Sequence, residues 1–277
     1  MIDLSTGARL FVETEGAGPP LLVIHGGLGL DHSYFQPWFD PLQSGFQVIY
    51  PDMRGNGRSA AAFDPDFTIE KMADDLEALR ISLGLKQWAV LGHSYGGFIA
   101  QAYALKYPEA VSHLILVDTS PAPALILGDA RAILGPKMNQ TIGQASFMLG
   151  KLANRTAPEG GDEEFKTLWH YVLPLYFDSF AIERLISDDK TVYREHAFVV
   201  GAQRTFGLDN RPALAKLMIP TLVVVGRQDG ILPMAHSEAL ANAIPKAKLV
   251  VFEDSGHFPF IEERDHFVEV VRGFLAE

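Results

Sequence analysis

Three residues able to carry out acyl transfer occur in the order serine, aspartate, histidine, each after a short apolar run. Ser94 lies in Gly92-His93-Ser94-Tyr95-Gly96, which follows the run 88–91 and precedes a helical pattern. A serine flanked by glycines in this way, between a strand and a helix, is typical of a nucleophile elbow, where the serine sits on a strained turn. Side chains at Gly92 and Gly96 would collide as the strand and helix close on each other. The sequence therefore predicts that Ser94 is a nucleophile.

A serine hydroxyl is a poor nucleophile near neutral pH, so it needs a base and an acid that orients the base. Asp229 and His257 each follow an apolar run further along the chain. Ligands of an open α/β sheet bind at the carboxyl ends of the strands, where all three residues fall. We predict that His257 takes the proton of Ser94 and that Asp229 orients His257. Asp118 also ends an apolar run and remains open as the alternative acid.

The oxygen of an attacked carbonyl also needs preorganised N–H donors. Candidates lie in His25-Gly26-Gly27-Leu28-Gly29, which follows the apolar run 21–24. We predict that the backbone N–H groups of Gly27 and Tyr95 form an oxyanion hole, with Leu28 as the second choice for the first donor. We expect His25 to shape this loop by hydrogen bonding, and His93 to pack inside the elbow.

The elements that must position these residues are short, continuous apolar runs. Such runs are typical of strands buried on both faces of a parallel sheet. Residues 9–15 alternate instead and predict an antiparallel edge strand. Helical patterns separate the runs, so the predicted fold class is α/β. The runs are 21–24, 48–50, 88–91, 114–117, 221–225 and 248–252.

One long segment, residues 121–211, breaks this alternation and is called the insertion below. It contains no buried-strand run, and about ninety residues are too many for a plain loop. We predict that it forms a helical cap on a core domain of residues 1–120 and 212–277. Within it, 160–164 indicate a loop, and 165–176 and 181–206 predict helices. Its aromatic side chains either line an apolar pocket over the site or form the insertion's own core. They are Phe147, Trp169, Tyr171, Tyr176, Phe177 and Phe198.

Composition excludes several classes of function. The chain has 277 residues, of which 48% are hydrophobic, so its bulk is not disordered. Lys and Arg number 23 against 34 Asp and Glu, and the net charge of −11 repels nucleic acid and anionic membrane surfaces. Without cysteine there is no disulfide or thiolate site, and no metal or nucleotide motif is present. The absence of a signal peptide and of a membrane-spanning run favours a cytoplasmic location. The oligomeric state is left open.

Five motifs in order make the sequence resemble the α/β-hydrolase superfamily, from the edge strand to the last helix. They are His25-Gly26-Gly27, Asp52-Met53-Arg54-Gly55-Asn56-Gly57-Arg58-Ser59, Gly92-His93-Ser94-Tyr95-Gly96-Gly97, Gly226-Arg227-Gln228-Asp229 and Ser255-Gly256-His257. The resemblance implies a mostly parallel eight-stranded sheet flanked by helices, with an inserted helical cap. It also implies a Ser-His-Asp triad, no cofactor and no metal. The second motif is interpreted as a structural turn whose glycines take positive φ.

Within the superfamily the sequence is most similar to the prolyl-iminopeptidase-like branch. That branch typically has proline where this chain has Leu28. Residues 193–198 resemble the branch's cap segment, in which a glutamate holds the α-amine of the substrate, and Glu195 is the matching residue. Together with Trp169 from the aromatic set, Leu28 and Glu195 are the candidate substrate-binding residues.

Three functions follow from these patterns. The first is a serine hydrolase that cleaves a small carboxylic ester or lactone through an acyl-enzyme. The second is a proline iminopeptidase that releases the N-terminal proline of a short peptide. The third is a receptor that captures a small ligand and retains residual hydrolase activity. Dehalogenase and epoxide hydrolase chemistry are disfavoured because those relatives place an aspartate where this chain has Ser94.

Overall fold

A central β-sheet organises the chain in the computed structural model, which describes residues 1–62, 64–122, 161–178, 182–205 and 209–277. The strands are β1 (Ile2–Asp3), β2 (Arg9–Leu10), β3 (Val12–Glu15), β4 (Pro20–Ile24), β5 (Gln47–Pro51), β6 (Trp88–His93), β7 (Val111–Val117), β8 (Thr221–Gly226) and β9 (Ala247–Phe252). The sheet has seven strands in the order β3-β5-β4-β6-β7-β8-β9. β3 is antiparallel to β5 at one edge, and the other pairs are parallel.

Helices flank this sheet. The α-helices in the described residues are α1 (Ile69–Ser82), α2 (Tyr95–Lys106), α3 (Gly161–Val172), α4 (Glu183–Ser187), α5 (Glu195–Thr205), α6 (Arg211–Leu214), α7 (Met234–Ala243), α8 (Pro259–Glu262) and α9 (Arg264–Leu275). Short 3₁₀ helices cover His32–Phe35, Asp40–Ser44, Asp64–Asp66, Pro108–Ala110 and Leu173–Tyr176. The predicted α/β class, a mostly parallel sheet between helices, is confirmed.

Burial on both faces explains why the apolar runs are continuous. In β4, Leu22 and Ile24 face a core that α1, α2 and α7 cover. Leu21 and Val23 face the opposite core, which α9 and the 3₁₀ segments of 32–44 cover. Each fully buried side chain of this size contributes about 1.5–3 kcal/mol to the free energy of unfolding. All six predicted runs are strands of the sheet for this reason.

The number of strands differs from the eight that the family resemblance implies. Among the described residues the sheet has seven, and β1 and β2 pair separately as an antiparallel ladder. The predicted edge strand 9–15 is interrupted at Phe11, whose N–H donates to Oγ of Ser59 at 2.9 Å. This side-chain bond takes the place of a ladder bond, so β2 and β3 belong to different sheets.

The insertion lies between β7 and β8, and its described residues are helical or irregular. The predicted loop 160–164 is wrong for residues 161–164, because α3 begins at Gly161 and carries three acidic residues in its first turn, where the helix dipole favours them. Residue 160 lies outside the described residues. The predicted helix 181–206 is also corrected, because residues 188–194 separate α4 from α5. That link is held by the core: Val192 N–H donates to Asp31 at 2.9 Å and Arg194 N–H to the carbonyl of Gly29 at 2.8 Å.

Candidate active site

The carboxyl ends of the parallel strands bring the predicted site residues to one edge of the sheet. Ser94 directly follows β6, and Asp118 directly follows β7. Asp229 and His257 follow β8 and β9 through short turns, and Gly27 lies in the loop after β4. Because these five strands run in the same direction, their ends meet at the same edge. Residues far apart in sequence therefore become neighbours.

Ser94 occupies the turn between β6 and α2 with a φ of +53°. Few residues other than glycine adopt this conformation, and it is held here because the N–H of Ser94 donates to the carbonyl of Val117 at 2.9 Å. A Cβ on Gly92 would lie 2.4 Å from the carbonyl oxygen of Gly96, and one on Gly96 would lie 2.3 Å from that of Ile24. The two glycines are thus needed for the steric reason that the sequence predicts.

His257 and Asp229 form a buried hydrogen-bonded pair. Nδ1 of His257 lies 2.7 Å from Oδ2 of Asp229, whose Oδ1 accepts the N–H groups of Ile231 at 2.8 Å and Leu232 at 3.0 Å. Because the carboxylate accepts at both oxygens, the proton of the ring lies on Nδ1 and Nε2 keeps its lone pair. Nε2 is buried and has no hydrogen-bond partner within the described ranges. It is therefore oriented as a base.

Asp118, the alternative acid, is held differently from Asp229. Its Oδ1 accepts the N–H of Gly226 at 2.9 Å, and its buried Oδ2 has no partner in the part of the chain that the structure describes. Burial, together with the charge of Asp229, raises the pKa of Asp118 well above its ordinary value. The raised pKa favours the protonated form of Asp118, and Asp229 is the carboxylate that faces His257.

Among the described residues, one cluster of histidine and carboxylate side chains has a spacing that suits a metal ion, and it consists of these same residues. One ligand atom from each of Asp118, Asp229 and His257 lies within 4.8 Å of the others. Metal ligands must be deprotonated, which the raised pKa of Asp118 opposes, while His257 and Asp229 already bond to each other. The arrangement fits proton transfer better than cation binding. That the chain needs no metal and no cofactor stays a prediction.

The loop after β4 passes directly over the elbow. A Cβ on Gly26 would lie 2.8 Å from Cβ of Ser94 and 2.9 Å from Nδ1 of His93, so the approach requires glycine. Gly27, the predicted oxyanion donor, follows with a φ of +57°. Tyr95, whose N–H is the second predicted donor, begins α2, and amides at a helix N-terminus favour negative charge.

His25 shapes this loop by hydrogen bonding, as the sequence predicts. Its Nε2 accepts the N–H of Met53 at 2.9 Å, so its proton lies on Nδ1, which donates to the carbonyl of Gly26 at 3.0 Å. Burial lowers the pKa of His25, which favours the neutral ring that this pattern requires. His25 thus links the loop after β4 to the backbone at Met53. Both of its ring nitrogens are occupied by these bonds, so it is not placed to act as a base.

Two polar side chains behind the loop, Tyr34 and His93, form hydrogen bonds that the sequence analysis does not predict. The hydroxyl of Tyr34 accepts the N–H of Gly26 and lies 2.9 Å from Nδ1 of His93. Nε2 of His93 lies 2.9 Å from the carbonyl oxygen of His257. The sequence predicts packing for His93, and the structure adds hydrogen bonds at both ring nitrogens. No local pattern points to Tyr34, because tertiary contacts alone bring its partners together.

The insertion reaches the site through Tyr176. The carbonyl oxygen of Tyr176 accepts the backbone N–H of His257 at 2.6 Å. Its ring lies edge-on to the imidazole, with ring centroids 5.3 Å apart. On the other side Tyr176 packs against Trp169 at 5.0 Å between centroids. The candidate base is therefore positioned partly by residues of the insertion.

A cavity of about 850 Å³ lies between the insertion and the core. Its lining residues include Tyr34, Trp169, Phe177 and Phe258. Ser94 and His257 are not among the described residues that line this cavity. Two of the predicted aromatic residues thus line a pocket. Of the others, Tyr171 is exposed, Phe198 packs on the ring of Phe165 and Phe147 lies outside the described residues.

The remaining candidate substrate-binding residues contact α5 or begin it. A Cβ on Gly201 of α5 would lie 2.5 Å from Cδ2 of Leu28, so this helix covers Leu28 closely. Glu195, the first residue of α5, is buried, and its Oε2 accepts the N–H of Gly161 at 3.0 Å. Glu195 therefore holds the start of α3. Its binding of a substrate amine stays a prediction.

Fold and site together define a hydrolase of the α/β type, and comparison with known proteins gives the same class. A sequence model for the alpha/beta hydrolase fold matches residues 19–264. The chain belongs to this family.

Relatives of this chain have several activities. It is 31% identical over 286 residues to proline iminopeptidase PfmaB of Pestalotiopsis fici, covering 96% of this chain and 99% of that one. It is 30% identical over 268 residues to the pimeloyl-[acyl-carrier protein] methyl ester esterase of Aliivibrio salmonicida, covering 96% and 95%. A thermophilic esterase from Thermogutta terrifontis superposes with a TM-score of 0.71 at 29% identity, covering 99% and 97%.

In the described residues no helix has the length and apolar character needed to cross a membrane.

Proposed function

We propose that this chain is a serine hydrolase that cleaves a small carboxylic ester or a lactone through an acyl-enzyme. The observation that carries the proposal is the buried 2.7 Å hydrogen bond between Nδ1 of His257 and Oδ2 of Asp229, at the same sheet edge as Ser94. The positive φ of Ser94 and the close approach of Gly26 to it support the same function. Similarity to two esterases supports the substrate class.

In the acylation step, Oγ of Ser94 attacks the carbonyl carbon of the substrate while Nε2 of His257 takes the hydroxyl proton. Asp229 stabilises the imidazolium that forms and holds its tautomer. The tetrahedral intermediate then collapses, the bond to the alcohol oxygen breaks, and Nε2 returns the proton to that oxygen. The alcohol leaves, or remains attached as a hydroxyl on the acyl group when the substrate is a lactone.

Deacylation repeats these steps with water as the nucleophile. Nε2 of His257 takes a proton from water as its oxygen attacks the acyl carbon, and returns it to Oγ of Ser94 as the carboxylic acid leaves. In both steps the N–H groups of Gly27 and Tyr95 bind the carbonyl oxygen as it becomes negative. Loss of one such donor typically costs about 10²–10³ in rate.

The test compares the wild type with Ser94→Ala on a butyryl aryl ester, on a γ-lactone and on a proline arylamide. We expect ester or lactone turnover in the wild type and a loss of at least about 10⁴-fold in kcat in the variant. Ser112→Ala is the matched control, because Ser112 lies in β7 near the opposite end of the strand from the site. Full activity of the Ser94→Ala variant would overturn the proposal. Repeated turnover, in contrast to a single stoichiometric event, separates an enzyme from a ligand-capturing receptor.

Proline iminopeptidase activity is the second candidate, favoured by the similarity to PfmaB. In this case buried Glu195 holds the α-amine of the substrate. Glu195→Gln would then raise KM for proline arylamide, while the control Glu163→Gln, on the exposed side of α3, would leave KM unchanged. Failure of the wild type to cleave any proline arylamide would exclude this candidate.

A further inference from the structure

A continuous chain of hydrogen bonds runs behind the candidate active site. It begins at the backbone N–H of Gly26 in the loop after β4, which donates to the hydroxyl oxygen of Tyr34. It continues from Tyr34 to Nδ1 of His93 at 2.9 Å, and from Nε2 of His93 to the carbonyl oxygen of His257 at 2.9 Å. The backbone N–H of His257 then donates to the carbonyl of Tyr176 at 2.6 Å.

The chemistry of these groups fixes the direction of every bond. The carbonyl of His257 can only accept, so Nε2 of His93 carries the proton and Nδ1 carries a lone pair. Nδ1 must then accept from the hydroxyl of Tyr34, and the oxygen of Tyr34 in turn accepts from Gly26. One tautomer of His93 and one hydroxyl orientation satisfy the whole chain.

The protonation states agree with this arrangement. Burial, with the nearby ring of His257, lowers the pKa of His93 well below its ordinary value, so His93 is neutral and can accept at Nδ1. Burial raises the pKa of Tyr34, so its hydroxyl keeps the proton that it donates.

Steric contacts leave little freedom in this region. A Cβ on Gly26 would lie 2.9 Å from Nδ1 of His93, and the rings of His93 and His257 lie 4.9 Å apart between centroids. The ring of Tyr34 lies edge-on to that of His93 at 5.7 Å. A shift of Tyr34 or His93 therefore moves both the loop after β4 (residues 25–29, the oxyanion loop) and the backbone of His257.

We infer that Tyr34 and His93 are positioning residues that hold the oxyanion loop and His257 in register with each other. The inference rests on the proposed function, since it assigns both ends of the chain a role in ester cleavage. Neither side chain contacts the reacting atoms. They act by fixing the His25–Gly26 peptide, next in the chain to the one that carries the proposed oxyanion donor of Gly27, and the peptide after His257.

Loss of this alignment affects the transition state more than substrate binding. The oxyanion exists only once the carbonyl has been attacked, and a small misplacement of catalytic groups costs up to about 10²-fold in rate. For Tyr34→Phe we expect kcat to fall between about tenfold and a hundredfold, with KM within about twofold of the wild type. Affinity for an aryl trifluoromethyl ketone, which forms a tetrahedral adduct, falls in parallel with kcat/KM.

Tyr103→Phe is the matched control. The hydroxyl of Tyr103 also links a donor and an acceptor, Nε1 of Trp88 at 3.1 Å and Glu77 at 2.9 Å. Tyr103 belongs to α2, and its hydroxyl lies near α1 and the start of β6, away from the site. This variant loses hydrogen bonds of the same kind and lowers the melting temperature, but it leaves kcat unchanged.

Variants of His93 test the chain from its other end. His93→Gln keeps an amide donor for the carbonyl of His257, and His93→Leu keeps none, so we expect kcat to decrease in the order wild type, Gln, Leu. If the chain acts as a unit, Tyr34→Phe combined with His93→Leu costs little more than His93→Leu alone. Should one variant fail to fold, as judged by its melting curve, the other still decides the question.

The outcomes separate the two proposals. Ser94→Ala with full turnover overturns the serine mechanism, and with it this inference. Loss of turnover in Ser94→Ala, with Tyr34→Phe and Tyr103→Phe equal in kcat, overturns this inference alone. Additive losses in the double variant, or a rise in KM without a fall in kcat, also overturn it.

Discussion

Asp118 and Asp229 end neighbouring strands and carry the same side chain, yet their environments divide their roles. Asp229 accepts three hydrogen bonds, two from backbone amides and one from His257. Asp118 accepts one, from Gly226, and its second oxygen is buried without a partner among the residues described. Burial and the nearby charge of Asp229 raise the pKa of Asp118. In the proposed mechanism, hydrogen bonding therefore favours Asp229 as the acid that orients His257.

At the residue scale we predict a large loss of turnover for one Asp→Asn substitution and a small change for the other. Asp229→Asn removes the carboxylate that fixes the tautomer of His257, and the expected loss in kcat on an aryl ester is about 10⁴-fold. Asp118→Asn replaces a neutral acid by a neutral amide of the same shape, so kcat changes by only a few fold. Equal losses in the two variants would contradict this assignment of the acid.

The same aspartate predicts a dependence of stability on pH. The pKa of Asp118 is raised in the folded chain, so the folded state holds a proton that the unfolded state releases above its ordinary value of 3.8. Stability contributed by this group therefore falls as pH rises from that value toward the folded pKa. The side chain in Asp118→Asn does not titrate, so the melting temperature of this variant rises relative to that of the wild type as pH increases above about 4. A constant difference over this range would argue against a raised pKa.

At the scale of elements, close contact between β4, β6 and α2 sets the geometry of the elbow. The first turn of α2 lies against the carbonyl of Ile24 at the end of β4. At Gly96 the space between them admits a hydrogen atom but not a methyl group. The strained serine is thus maintained by three elements packed around it.

We predict opposite stability effects for two Gly→Ala substitutions. Gly96→Ala places a methyl group 2.3 Å from a backbone oxygen, and we expect a loss of about 1–3 kcal/mol in the free energy of unfolding together with loss of turnover. Gly273→Ala in α9 has open space around it, so the better helix propensity of alanine adds about 0.5–1 kcal/mol. Urea unfolding of both variants is the measurement. Stabilisation by Gly96→Ala would contradict the contact.

The elements also show what the sequence could predict. Strands buried on both faces must be apolar throughout, so the six runs identify them, and the order of strand ends identifies Ser94, Asp229 and His257 as a group. The sequence does not predict the break between α4 and α5, because the break depends on hydrogen bonds from Val192 to Asp31 and from Arg194 to Gly29. The role of Tyr34 cannot be predicted for the same reason, since its partners are distant in sequence. Local patterns report burial, whereas these features depend on distant partners.

At the scale of the whole molecule, hydrogen bonds between backbone groups and side chains help to attach the insertion to the core. Asp31 accepts the N–H of Val192 and also pairs with Arg58 at 2.8 Å. Nε of Arg194 donates to the carbonyl of Gly57 at 2.9 Å. The turn 52–59 therefore serves as the anchor of the insertion as well as a structural element of the core.

We predict that Asp31→Ala loosens the insertion locally. Hydrogen exchange at the amide of Val192 should become faster, because its acceptor is removed, while amides in the middle of α1 keep their protection. Mass spectrometry of peptides covering 188–194 and 69–82 measures both. Unchanged exchange at 188–194 would show that Asp31 does not anchor the insertion, and equal acceleration in both peptides would indicate global unfolding.

The bond from the N–H of His257 to the carbonyl of Tyr176 has a consequence for the timing of the cycle. In the proposed mechanism this one contact holds part of the insertion on the core and also fixes the base, so lifting that part of the insertion would misalign His257. Entry of substrate and release of product would then be separated in time from bond cleavage. Weakening the contact would speed entry and release and slow cleavage, so turnover would be fastest at an intermediate strength of the contact.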